Sequence, residues 1–229
     1  RPQKINLNNI VKYDDEHAWM VSGHQVASCR ISDECADVLH KSPVLKSLLG
    51  YGLKVGDALY VCSEGGKLLR FRFDNLQPDT IPVPSAYYDH ETKMEKLPDG
   101  NILLFMQGMH LAILSPKTGK IKEMKVAGMP EYGNFDPAFA KLDSYGNMWL
   151  GTKRDGLYLI DMKRKSMRSA KVLNDTHIEG MVEDRNRQLW VTTMRDAFFV
   201  TSKSKVFMMS SLLSASQDRD DWQFYNNSI

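Results

Sequence analysis

GNMWLGTKRDGLYLID, residues 146–161, is two short apolar runs around a polar turn, and the same construction recurs along the chain. RQLWVTTMRDAFFVTS repeats it from Arg187 to Ser202, and PDGNILLFMQGMHLAILS repeats it from Pro98 to Ser115 without the tryptophan. Two worn copies come earlier, EHAWMVSGHQVASCRIS from Glu16 and GDALYVCSEGGKLLRFRF from Gly56. Aligned on the large residue of the first run, the copies are anchored by Trp19, Tyr60, Leu103, Trp149 and Trp190, at spacings of 41, 43, 46 and 41 residues. A period of roughly 40–50 residues built from β-patterned pieces is that of a propeller or a related array.

The fourth copy resolves into strands. Phe139–Asp143 reads as the first, Ser144-Tyr145-Gly146-Asn147 as a turn, Met148–Thr152 as the second, Lys153–Gly156 as another turn and Leu157–Asp161 as the third. Met167–Val172 is the candidate fourth. Gly/Asn/Asp turns between short β-rich runs signal antiparallel pairing. Four strands per unit is the anatomy of a propeller blade. In Met148-Trp149-Leu150 and Leu157–Ile160 both faces are apolar, whereas a strand with one wet face would alternate. The middle strands are thus expected to be buried on both sides and the outer strand to be polar. The expected fold is all-β: four-stranded antiparallel blades over residues 9–50, 51–86, 87–130, 131–174 and 175–213, with 214–229 opening a further blade. Residues 33–50 interrupt the pattern and are read as a place for a short helical turn.

Composition narrows the function classes. The 229 residues are 42% hydrophobic and 25% charged, with a net charge of +2, so no electrostatic footprint for nucleic acid stands out. The basic run Lys163, Arg164, Lys165 and Arg168 reads as a solvated turn. No apolar run approaches the roughly 18 residues of a membrane span, and Arg1-Pro2-Gln3-Lys4 does not read as a signal peptide. Composition does not separate a cytoplasmic chain from a processed part of an exported one, and any membrane contact is expected only through flanking segments outside this sequence. Cys29, Cys35 and Cys62 match no zinc or redox spacing. Cys29 and Cys62 fall on strand positions held by aliphatic residues in other copies and read as buried packing, with a Cys29–Cys35 disulfide left open.

Catalytic motifs are missing. The six histidines form no H-x-H or H-E-x-x-H pair, and no G-x-S-x-G elbow occurs. Gly65-Gly66-Lys67 lacks the glycine spacing and hydroxyl of a phosphate-cradling loop. Asp89 with His90, or Asp175 with His177, remain open as acid–base pairs if folding supplies a partner. No cofactor and no metal site is expected.

The loops between copies hold the chemistry that packing does not need. PSAYYDHET at 84–92 carries Tyr87, Tyr88, Asp89 and His90; MPEYGNFDP at 129–137 carries Tyr132, Asn134 and Asp136. LNDTHIEG at 173–180 carries His177, and SQDRDDWQFY at 216–225 carries Trp222. The turns between second and third strands add Arg154 and Arg195, each followed by Asp. Aromatic rings beside Asp, Asn and Arg suit a sugar, whose C–H face packs on a ring while its hydroxyls take hydrogen bonds. Local turn structure accounts for Arg154-Asp155 and Arg195-Asp196 equally well. Trp149 and Trp190 are read as core.

Leu142-Asp143, Gly146-Asn147-Met148-Trp149-Leu150-Gly151-Thr152 and Gly156-Leu157-Tyr158 together resemble the two-component regulator propeller repeat. Glu183-Asp184 with Leu189-Trp190-Val191-Thr192-Thr193 resembles it too, with Ala197 where the repeat usually has Gly; the other three copies keep the spacing and lose the Trp or the Gly-Thr. The resemblance implies the extracytoplasmic, periplasmic sensor region of a Bacteroides-type hybrid histidine kinase, built from seven-bladed propellers and responding to a glycan or oligosaccharide. It implies the rest of such an ectodomain as a partner, and a homodimer as a second. Seven units would need roughly 300 residues, so the chain reads as a portion of a larger sensor without its kinase. Two alternatives stand beside this reading: a propeller used only for protein contact or dimerisation, and a glycan-active propeller enzyme.

Overall fold

The computed structural model describes residues 7–32, 36–129, 136–169, 173, 176–193, 197–200, 207–208 and 224–225. Contacts divide the chain into two compact units, Arg1–Met124 and Lys125–Ile229. The first holds three four-stranded antiparallel sheets, each paired in sequence order. They are β1 (Leu7–Lys12), β2 (His17–Ser22), β3 (Val26–Ile31) and β4 (Ala36–Lys41); β5 (Leu49–Val55), β6 (Ala58–Ser63), β7 (Lys67–Arg72) and β8 (Asp79–Pro82); and β9 (Lys93–Lys96), β10 (Ile102–Phe105), β11 (Leu111–Leu114) and β12 (Ile121–Glu123). The second unit holds β13 (Pro137–Leu142), β14 (Asn147–Thr152), β15 (Leu157–Asp161) and β16 (Ser166–Ser169), then β17 (Ile178–Glu183), β18 (Leu189–Thr193) and β19 (Ala197–Val200). Its last pair is β20 (Phe207–Met208) with β21 (Phe224–Tyr225). Within the first unit, first strands lie side by side, β1 against β5 and β5 against β9; within the second, β13 lies against β17. These are propeller blades.

Every anchor falls on the second strand of its blade. Five of the six residues of β6 and of β14 are buried, as are all four of β10. β4 is exposed throughout and β12 nearly so, so blades bury their middles and wet their rims as expected. Trp149 is fully buried against Leu157, Ile178, Met181, Leu189 and Val191, which joins the fourth blade to the fifth. Gly151 belongs to this junction: a Cβ there would sit 2.8 Å from the Ile178 side chain. That approach is a physical reason for Gly before Thr152 in this copy.

The turn before Trp149 is organised by one carboxylate. Asp143 Oδ1 accepts from the backbone N–H of Tyr145 (2.9 Å) and Asn147 (2.8 Å). Its Oδ2 accepts from Asn147 Nδ2 (3.0 Å) and from the Trp149 indole N–H (2.9 Å). Asp184 does the same for Asn186, Gln188 and Trp190. Gly146 takes φ +83°, and Arg187 holds the matching place at φ +62°, a left-handed geometry that costs a side-chain-bearing residue about 1–2 kcal/mol.

Some expectations change. Residues 36–41 form an outer strand, so the helical turn sought within 33–50 is absent from its described part; pairing to β3, with a bulge at Ser28/Cys29, outcompetes local coiling. Trp190 is half-buried rather than core, because Val182, directly opposite it on the sheet, stands 59% exposed. Cys29 and Cys62 are buried free thiols, and burial pushes Cys62 up to about 12, consistent with packing residues. Cys35, and with it the open disulfide, lies outside the described residues. Lys163, Arg164 and Lys165 of the basic run form a turn, with Asp161 accepting from the backbone N–H of Lys163 and Arg164 at 3.0 Å each, whereas Arg168 lies on β16, paired with Leu159. The tail segment does contain a strand, β21, which pairs with β20.

Candidate functional site

Successive strands of a blade run in opposite directions, so the loop after a fourth strand and the turn between second and third strands reach the same end. In the first unit that end gathers residues 83–92, the Glu64–Gly66 turn and the Gln107–Met109 turn. Tyr88 pins the long loop: its hydroxyl donates to Lys67 O at 2.8 Å and accepts from Ser63 N–H at 3.3 Å. The ring is buried among Cys62, Leu68, Ile81 and Leu104, and burial raises its pKa well above the usual phenol value. Tyr88 is therefore a packing residue, a correction to its place among the ligand candidates.

Of its neighbours, Tyr87 is presented outward, and Asp89 and His90 are half-buried. Tyr87 is 47% exposed and stacks on His110, with ring centroids 3.5 Å apart and planes 13° from parallel. Asp89 Oδ2 accepts from Gln107 Nε2 at 2.6 Å, and Gln107 N–H donates to Tyr87 O at 3.1 Å. His90 Nδ1 is buried without a hydrogen-bond partner among the described residues, 3.8 Å from Glu64 Oε1. Asp89 thus engages Gln107 and the Glu91 N–H, and His90 faces Glu64. The Lys93 ammonium lies 4.4 Å over the exposed Tyr51 ring on the neighbouring first strand. Gly50 explains the closeness of the parts: a Cβ there would fall 1.8 Å from His90 O, so only glycine lets the loop backbone press against β5. Beside Tyr87 and His110 opens a cleft of about 340 Å³, walled by Val83, Met106 and Ile121 with Glu123 among its polar groups. That volume lies within the range of small-molecule sites.

No family model matches the chain, and no curated protein matches it. Solved structures do. A virginiamycin B lyase from Staphylococcus aureus, solved with quinupristin, is 12% identical over 92% of this chain and 70% of that one, with a TM-score of 0.71. The extracellular domain assigned to a one-component system of Bacteroides thetaiotaomicron is 13% identical, covering 97% of this chain and 29% of that one at a TM-score of 0.70. An extracellular domain assigned to a hybrid two-component system of that bacterium is 17% identical, covering 91% and 29% at 0.66. The shared property is the propeller fold. The sensor ectodomains are among its bearers, in line with the resemblance carried by the repeat. This propeller chain spans under a third of either ectodomain.

In the second unit the described candidates, Asp136, Arg154 and His177, lie at the corresponding end of the fourth blade. Asp136 O accepts from Lys153 N–H at 2.9 Å, and Gly156 N–H donates to Thr176 O at 3.0 Å, beside His177. Thr152 Oγ1 donates to Gly156 O and accepts from Asp155 N–H, which shapes the turn that exposes Arg154. Tyr132, Asn134, Arg195 and Trp222 lie outside the described residues. Sequence reasoning missed Gln107, His110, Glu64, Tyr51 and Lys93. The alignment that found Arg154 and Arg195 also places Gln107–His110 in a second-to-third strand turn, so that signal was present. Tyr51 and Lys93 carry no such mark, because they lie inside strands.

Proposed function

We propose that this chain is the ligand-recognising portion of an extracytoplasmic, periplasmic sensor propeller, and that the loop end of its first unit takes an oligosaccharide. The observation that carries this is the Tyr87 ring, held outward on His110 beside Asp89, Gln107 and the His90–Glu64 pair. A stacked, exposed ring offers a rigid apolar face at small entropic cost, and the adjacent amide and carboxylates supply donors and acceptors for hydroxyls. The resemblance of the repeat and the fold shared with sensor ectodomains support the same reading. Binding would act by favouring one of two receptor arrangements.

Calorimetric titration with a broad oligosaccharide panel tests it. Saturable heat without turnover, lost in Tyr87→Ala, is the expected result; silence across the panel overturns it. A second reading, protein contact, is favoured by the exposed Ile10, Ile31 and Val38 of the first blade. Its test is light scattering: a concentration-dependent dimer supports it.

A further inference from the structure

We infer that the opposite end of the first unit holds a separate recognition groove, across the base of the second blade, for a neutral sugar ring. The groove is about 540 Å³ and runs from Tyr13 and Phe73 to Arg70, Arg72, Asp57 and Asp74. None of these belongs to the loop cluster around Tyr87.

Its aromatic wall is braced. Tyr13 and Phe73 stack with centroids 4.3 Å apart and planes 16° from parallel. Trp19, fully buried behind them, meets Tyr13 at 75° and Phe73 at 64°. Lys54 sits 4.9 Å over the Tyr13 ring and also donates to Tyr13 O. A wall so braced loses little freedom when a ligand packs on it.

The polar rim is arranged by register. Arg70 and Arg72 lie two apart on β7, so they project from one face. Asp79 Oδ2 accepts from Nε (3.2 Å) and Nη2 (2.7 Å) of Arg70, which leaves Nη1 unused by that pair. Arg72 is exposed and has no hydrogen-bond or ion-pair partner among the described residues. Asp57 and Asp74 are likewise exposed.

This balance selects the ligand. An anion attracted to Arg72 would meet two exposed carboxylates with no partner among the described residues, and a cation attracted to those would meet Arg72. A neutral polyol uses both: its hydroxyls donate to Asp57 and Asp74 and accept from Arg72, and its C–H groups pack on the Phe73 side of the ring wall, since Phe73 and Lys54 already cover Tyr13.

The test is calorimetry on the whole chain with maltotriose, cellotriose and xylotriose, and with trigalacturonate as the charged counterpart. A neutral trisaccharide is expected to bind saturably and Arg72→Ala to weaken it by about tenfold, as for loss of one charge-assisted hydrogen bond. Arg72 is exposed, so an unchanged melting temperature accompanies that loss. Phe73→Leu is expected to weaken binding too, and Tyr87→Ala to leave this affinity unchanged. Absence of heat with all three neutral sugars, tighter binding of trigalacturonate, or heat insensitive to Arg72→Ala would each overturn the inference. Heat abolished by Tyr87→Ala and untouched by Arg72→Ala would instead belong to the loop end, so the two sites succeed or fail separately.

Discussion

The first and fourth blades make the same turn with different chemistry. In the fourth, Asp143 N–H donates to Asn147 O at 2.9 Å; in the first, Tyr13 N–H donates to His17 O at the same distance. Each leads six residues on to a buried tryptophan. Around Trp149 the carboxylate of Asp143 collects the turn N–H groups and the indole. Around Trp19 the turn's carboxylate is Asp14, which accepts from the Glu16 N–H at 2.9 Å and meets the His17 ring but not the indole. Tyr13, Phe73 and His17 pack there instead, and the Trp19 indole N–H is buried with no hydrogen-bond partner among the described residues. The backbone bond and a carboxylate on a turn N–H are common to both blades, whereas the contact made to the indole is exchanged. A copy can lose its motif and remain a blade.

The comparison can be broken at several strengths. Trp149→Ala should have the largest effect, a loss of about 3–5 kcal/mol from an aromatic cavity, read as a fall in the urea midpoint. Trp190→Ala, from a half-buried site, should cost clearly less; equal losses would contradict the difference in burial. Asp143→Ala comes next, at about 1–3 kcal/mol, since it strands the buried Trp149 N–H and the turn donors. Tyr13→Ala has no carboxylate network to destroy and should act only through ring packing. A double-mutant cycle of Asp143→Ala with Trp149→Phe separates the two, because the carboxylate–indole coupling it reports has no counterpart at Trp19 of the first blade.

Acid probes the same device in the fifth blade. The Trp190 indole N–H, then the Gln188 N–H, hold the Asp184 carboxyl below its ordinary value. A depressed folded-state pKa means stability that is present above the unfolded value near 4 and is lost as pH falls through the lower folded value. Urea midpoints measured between pH 6 and pH 3 should fall, and Asp184→Asn should flatten that slope. The smallest effect is expected at Arg187. Arg187→Gly relieves a left-handed residue, but it removes the guanidinium 5.7 Å over Tyr145 and loosens the unfolded chain. The net gain should be under about 1 kcal/mol.

Much of this fold is legible in the chain because its determinants are local. Asp143 to Trp149 is one turn, and the period repeats it. What escaped reading depends on partners far apart in sequence. β4 is set by pairing with β3, and the exposure of Trp190 by what lies across a sheet face. Tyr88 looked identical to Tyr87 until Ser63 and Lys67 claimed its hydroxyl. The His110 platform under Tyr87 and the groove from Tyr13 to Arg72 join residues of different blades or strands, so no window of sequence contains them.

Cys62 gives the first unit a clock. It is fully buried in the cluster that joins the second and third blades, and burial keeps its thiol protonated at neutral pH. Only a thiolate attacks an alkylating reagent, so modification must wait until those blades part. The rate of its labelling, followed site by site by mass spectrometry, therefore measures how often the second and third blades separate.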